Sequence, residues 1–126
     1  MRFRHFRGVE PPRFAHPAEE ELAELLDENG IAWEYEPHEF TLEVSPDGTV
    51  HQAIKPDFYL PELGTYIECT VMKQANTNKK NQKVRKLREQ YGEVVTILYR
   101  RDFQRLRRKY RSTSSATSNP IPQSSE

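Results

Sequence analysis

The sequence predicts an α/β domain with a mixed central sheet flanked by helices. Three observations carry that expectation. Residues 17–29 place apolar side chains at helical spacing. Residues 38–44 alternate apolar and polar ahead of a Pro46-Asp47-Gly48 turn, which reads as a hairpin. Apolar runs at 66–72 and 94–99 are separated by a helical pattern, and such a crossover favours a parallel strand pair.

Each element follows from its residues. In 17–29, Ala18, Leu22, Leu25, Leu26 and Asn29 share one face, with Gly30 as the stop and His16 placed to cap the start. Residues 31–35, IAWEY, form a short strand run in which Trp33, Tyr35 and the later Phe40 are expected in the core. In 38–44, Phe40, Leu42 and Val44 point one way and Thr41 and Glu43 the other. Residues 54–60 and 66–72 read as two further strands around the loop 61–64. Asn76-Thr77-Asn78 can cap a helix over 79–91, closed by Gly92, with Val84, Leu87 and Tyr91 inward and Lys80 one turn before Val84 on the same side. VVTILY, 94–99, suits a buried central strand. Asp102 starts a last, basic helix.

The 126 residues fit one domain over 15–111, between a basic, aromatic arm at 1–14 and a Ser/Thr/Pro-rich tail at 112–126 expected to be disordered. At 35% hydrophobic the core is small. The one cysteine, Cys69, excludes an internal disulfide and a cysteine-based zinc cluster. No apolar run is long enough for a membrane span, and the N-terminus lacks the apolar segment of a secretory signal, so a cytoplasmic protein is expected. The four histidines lack ligand spacing.

The zero net charge conceals an asymmetry. Residues 1–72 hold 5 Lys/Arg against 15 Asp/Glu, a net of −10, while residues 73–111 hold 14 against 3, a net of +11. The basic third suits a polyanion and the acidic part a divalent cation. Lys79, Lys83, Arg85, Lys86, Arg100 and Arg101 are the candidate phosphate contacts.

Pro56-Asp57 and Glu68-Cys69-Thr70 sit on neighbouring strand-like runs. Strand parity puts Glu68 on the face of Tyr66 and Thr70, turns Cys69 into packing, and lets Asp57 and Glu68 converge. Mg²⁺ takes hard oxygen ligands at about 2.0–2.1 Å and is often held by one or two carboxylates plus water and phosphate.

The order of elements, with Pro56-Asp57 and Glu68-x-Thr70, resembles the PD-(D/E)xK nuclease superfamily, the restriction-endonuclease-like fold with an αβββαβ core. The likeness covers roughly residues 15–110. It implies a Mg²⁺-dependent (or Mn²⁺-dependent) endonuclease hydrolysing phosphodiesters, DNA being favoured over RNA. Dimerisation is common among nucleases that cut both strands of a duplex, so a homodimer is a further expectation. Residue by residue, the resemblance implies Glu19, Asp57 and Glu68 as metal ligands. The lysine slot holds Thr70, which carries no charge and could only orient a water. Lys80, reaching back from the next helix, or Lys73, through a break in the strand, is the substitute. The alternative is a catalytically silent nucleic-acid-binding or regulatory module on the same scaffold; a protein-interaction domain with an acidic face is a third reading.

Overall fold

The computed structural model describes residues 2–70 and 78–115 of the chain. Its elements run α1 (Pro17–Glu28), β1 (Glu34–Tyr35), β2 (Phe40–Val44), β3 (Val50–Ile54), β4 (Phe58–Leu60), β5 (Thr65–Cys69), α2 (Asn78–Tyr91), β6 (Val95–Leu98) and α3 (Arg100–Ser115). Four strands form one mixed sheet in the order β1-β4-β5-β6, and β2-β3 is a separate hairpin. β1, β4 and β5 are antiparallel neighbours, while β5 and β6 are parallel, as the crossover through α2 requires.

α1 starts where Pro17 supplies a preset φ at the first helical position. The His16 carbonyl accepts the Glu19 amide at 3.0 Å, but the His16 side chain makes no capping bond, contrary to expectation. Gly30, at φ +70°, ends the helix. Gly92, at φ +73°, closes α2 and donates to the Arg88 carbonyl at 2.9 Å. The expected cap at Asn76 and Thr77 lies outside the described residues.

Three further expectations are corrected. The run 54–60 is not one strand: β3 ends at Ile54, β4 begins at Phe58, and Pro56, without an amide hydrogen, breaks the ladder between them. β6 is an edge strand of the described sheet, with only Val95 of its four residues buried. α3 begins at Arg100, two residues before Asp102, and continues to Ser115, into the Ser/Thr-rich segment. Asp102 instead accepts the Tyr99 amide at 2.8 Å, in its first turn.

The N-terminal arm is built into the fold. The Arg7 amide donates to the Trp33 carbonyl (2.8 Å) and the Trp33 amide to His5 (3.0 Å), giving a parallel bridge between Phe6 and Trp33. Asp27 of α1 accepts the amides of Arg4 and His5 and the Trp33 indole. These three donors outweigh its burial and lower the Asp27 pKa. Buried Phe3 joins Trp33 and Phe58 in the core beneath α1.

A second, smaller core lies on the other face of the sheet, where α2 and the hairpin meet Tyr66 and Val95 through Leu87, Leu42 and Ile54. Parity places successive β5 side chains in the two cores: Tyr66 in the second, Ile67 and Cys69 with the first. Among the described residues no helix is long and apolar enough to cross a membrane.

Candidate functional site

The β4–β5 register is Leu60↔Thr65, Tyr59↔Tyr66 and Phe58↔Ile67. Continued by one residue, it sets Asp57 opposite Glu68. Two carboxylates directly opposed across a ladder are destabilising unless something compensates. Here the ladder is continued by side chains. The Asp57 amide donates to Glu68 Oε1 (3.1 Å), and the Cys69 amide donates to Asp57 Oδ2 (2.8 Å). The two acids are thus locked together at the end of the strand pair.

Glu19 approaches from α1. It is buried, and its Oε1 accepts the Ala15 amide (2.9 Å) and the Tyr35 hydroxyl (2.6 Å). Tyr35 is part of the site rather than only core. A half-buried tyrosine hydroxyl needs a partner, and the Trp33/Tyr35 alternation alone could not name it. Burial, then the bond to Glu19, raises the Tyr35 pKa. Cys69, sunk in packing as expected, is likewise pushed up, first by burial and then by Asp57 and Glu19.

Asp57 shows the electrostatic consequence. Burial first, then the charge of Glu68, with a smaller push from Glu19, raise its carboxyl to about 8. The Cys69 amide and Lys80 pull in the opposite direction. Carboxyls raised in this way, by burial and a neighbouring acid, cluster at functional sites.

Lys80 reaches Glu68 from the first turn of α2. Its Nζ lies 2.8 Å from Glu68 Oε2, and both side chains are largely buried, at 18% and 12% exposure. Thr70 is buried just past β5, its amide donating to the Leu98 carbonyl at 2.9 Å. Lys73 lies outside the described residues.

Behind this pair a cleft of about 320 Å³ opens between the end of β3 and the start of α2. Four lysines, Lys55, Lys79, Lys80 and Lys83, line it together with Glu68. Lys55 reaches it from the opposite wall and makes only a loose pair with Glu36, at 3.8 Å. Strand parity over 54–60 would put Lys55 on the Asp57 face, short of the strand's functional end; it lies instead between β3 and β4, outside both. The first turn of α2 holds Lys79 and Lys80 and no acidic residue. Cations at a helix N-terminus oppose the macrodipole, at a cost of about 0.3–1 kcal/mol each.

The other candidate phosphate contacts do not all converge here. Lys86 is engaged with the hairpin, donating to Gln52 Oε1 (2.7 Å) and lying 3.5 Å from Glu43. Arg85 is exposed on the side of α2 away from Leu87 and Lys80. Arg101 is exposed in the first turn of α3, and Arg100 is the first residue of that helix.

Glu36 has φ +46°, the one positive φ outside glycine among the described residues, and donates its amide to the Asp57 carbonyl at 2.8 Å. Such a conformation persists where surrounding structure enforces it, often beside functional groups. Among the described residues no three His, Cys, Asp or Glu side chains form a ready metal cage. Mg²⁺ needs no such cage, since one or two carboxylates with water and phosphate suffice. Asp57 and Glu68, adjacent hard-oxygen donors whose mutual repulsion a cation relieves, fit that chemistry, with Glu19 behind them. Compared with protein-family models, with curated proteins and with solved structures, the chain matches none of them.

Proposed function

We propose that this protein is a Mg²⁺-dependent nuclease of PD-(D/E)xK type acting on nucleic-acid phosphodiesters, with DNA the favoured substrate. The observation that carries the reading is the Asp57–Glu68–Lys80 arrangement. Two carboxylates meet at the end of a strand pair, and a lysine from the following helix pairs with one of them. The order of elements supports it. With the β2–β3 hairpin set aside, the chain runs α, β, β, β, α, β, with the last strand parallel to its neighbour.

In this reading Asp57 and Glu68 would hold the metal, and Glu19 would support them from α1. The bound ion would acidify a water and stabilise charge on the phosphate oxygens. Lys80 supplies positive charge to the scissile phosphate, and Thr70 orients the water. Hydrogen bonds donated by the backbone amides of Cys69 and Asp57 fix the carboxylates before substrate arrives, so little reorganisation is left to the reaction. Lys79 and Lys83 hold the strand beside the site.

A second reading rests on the same ion pair. Lys80 already neutralises Glu68, and burial followed by the charge of Glu68 raises the Asp57 carboxyl to about 8, so this pair of acids is held without a divalent ion, as a silent nucleic-acid-binding module would need.

Cleavage of plasmid, branched and single-stranded substrates with Mg²⁺ or Mn²⁺ separates the two. The nuclease reading expects Asp57→Ala and Glu68→Ala to abolish cutting, and Lys80→Met to slow it by about 10²–10³-fold. Wild-type levels of cutting in Asp57→Ala and Glu68→Ala would sink the nuclease site. Salt-dependent binding without cutting in any metal would establish the silent module.

A further inference from the structure

The cleft beside the carboxylates carries more positive charge than one internal phosphodiester uses. Among the described residues its lining holds four lysines and one glutamate, a net of +3. Lys80 is taken up by Glu68, at 2.8 Å. Lys55, Lys79 and Lys83 remain, and Glu36 offsets Lys55 only through a contact of 3.8 Å between partly exposed groups.

The placement of these lysines works against stability. Lys79 and Lys80 stand in the first turn of α2, where backbone amides already present partial positive charge and where acidic residues are usual. Lys83 follows Lys79 by one helical turn on the same stripe, adding like charge to it. Local rules broken together, with no compensating acid in the first turn, mark a site shaped for a ligand. An anion seated in the cleft relieves all of these repulsions at once.

The count selects the anion. An internal phosphodiester bears one negative charge, whereas a phosphate monoester bears about 1.5–2 at pH 7 and three acceptor oxygens. Three lysine ammoniums from two opposing walls match the monoester. A volume of about 320 Å³ gives such a group room together with part of its sugar.

We propose that the cleft binds the terminal phosphate monoester of a nucleic-acid strand, with Lys55, Lys79 and Lys83 as its ligands. The protein is then directed to phosphorylated strand ends. The inference rests on the reading of nucleic acid as substrate, and it is independent of cleavage.

The experiment is fluorescence anisotropy in EDTA, with one labelled single-stranded oligonucleotide prepared with a 5′-phosphate, a 3′-phosphate or hydroxyls at both ends. One phosphorylated form should bind about tenfold more tightly than the hydroxyl form, the gain of a charge-assisted contact. Whichever end shows the gain fixes the polarity of binding. Lys55→Gln and Lys83→Gln, which keep much of the stems, should each reduce that gain severalfold while leaving the thermal midpoint nearly unchanged. Equal affinity for all three strands overturns the inference, as does a full gain retained in both variants. Neither result touches the nuclease reading, which the Mg²⁺ cleavage assay decides separately.

Discussion

The two faces of the sheet are built by different means. Beneath α1 the core is aromatic: Trp33 lies 5.1 Å from Phe3, 4.8 Å from Phe6 and 5.7 Å from Phe58, centroid to centroid. Beneath α2 it is small, and polar contacts hold the helix to the hairpin. Lys86 bonds Gln52, Gln90 donates to the Leu42 carbonyl (3.1 Å), and the Tyr91 hydroxyl donates to Thr41 (2.7 Å). The first two of these bonds are part-buried and the third is exposed, and a net hydrogen bond of about 0.5–1.5 kcal/mol adds less than a fully buried aromatic side chain. The aromatic face therefore fixes the carboxylate side of the site, through Glu19 and Tyr35. The face that delivers Lys80 and the cleft lysines is the softer one. In the proposed nuclease, the acids are held by the firmer of the two faces.

Substitution in the two cores measures that contrast most directly. Trp33→Ala removes the hub of the aromatic core and the indole donor to Asp27, and should cost about 3–5 kcal/mol in chemical denaturation. Leu87→Ala opens the smaller core, where the hairpin can settle inward, and should fall near the low end of about 2–5 kcal/mol. An equal or larger loss for Leu87→Ala would break the comparison.

Much of this arrangement is legible in the sequence, and what is not has identifiable causes. The helical spacing of Leu22, Leu25 and Leu26, the Pro46-Asp47-Gly48 turn and the crossover through α2 all appear as expected, because each is set by local periodicity or turn chemistry. Helical spacing also put Lys80 on the inward side of α2, where it meets Glu68. Long-range facts were not legible. Phe3, Phe6 and Phe14 have no period, and only the tertiary bridge to Trp33 makes the arm part of the core. The edge position of β6 depends on which strands pair, and an apolar run does not reveal that. Nor does parity reveal that Asp57 lies outside a strand, held by the amide of Cys69.

Next in size is the pH dependence of the pre-set acids. Asp57 ionises near the ordinary 3.8 when unfolded, but its folded carboxyl is raised to about 8. Between these values the native state binds the extra proton. Its contribution is fully present below about pH 4 and is lost as pH rises through about 8. Asp57→Asn keeps an acceptor for the Cys69 amide and removes the titration. It should gain on wild type as pH rises from 4 to 9, by an amount on the order of a few kcal/mol. In the nuclease reading Mg²⁺ raises the wild-type thermal midpoint more at pH 8 than at pH 5, since binding needs the ionised carboxylate, and leaves Asp57→Asn unmoved. Parallel stability curves for wild type and Asp57→Asn would remove Asp57 as the titrating group.

The smallest effect sharpens the softer face. Lys86 belongs by spacing to the same stripe as Lys79 and Lys83, yet its ammonium is spent on Gln52 and Glu43 of the hairpin. Its pair with Glu43 is solvent-exposed, so Lys86→Ala should cost only about 0.2–1 kcal/mol. On single-stranded oligonucleotides it should leave the slope of log affinity against log salt unchanged. Lys83→Ala, which removes a cleft lysine, should reduce that slope by roughly 0.7, the value for one phosphate contact on a single strand. A slope that falls equally in both variants would mean that Lys86 leaves the hairpin when the strand binds. α2 would then present one continuous lysine track, and the hairpin contacts would be the resting position of that track rather than a brace for the helix.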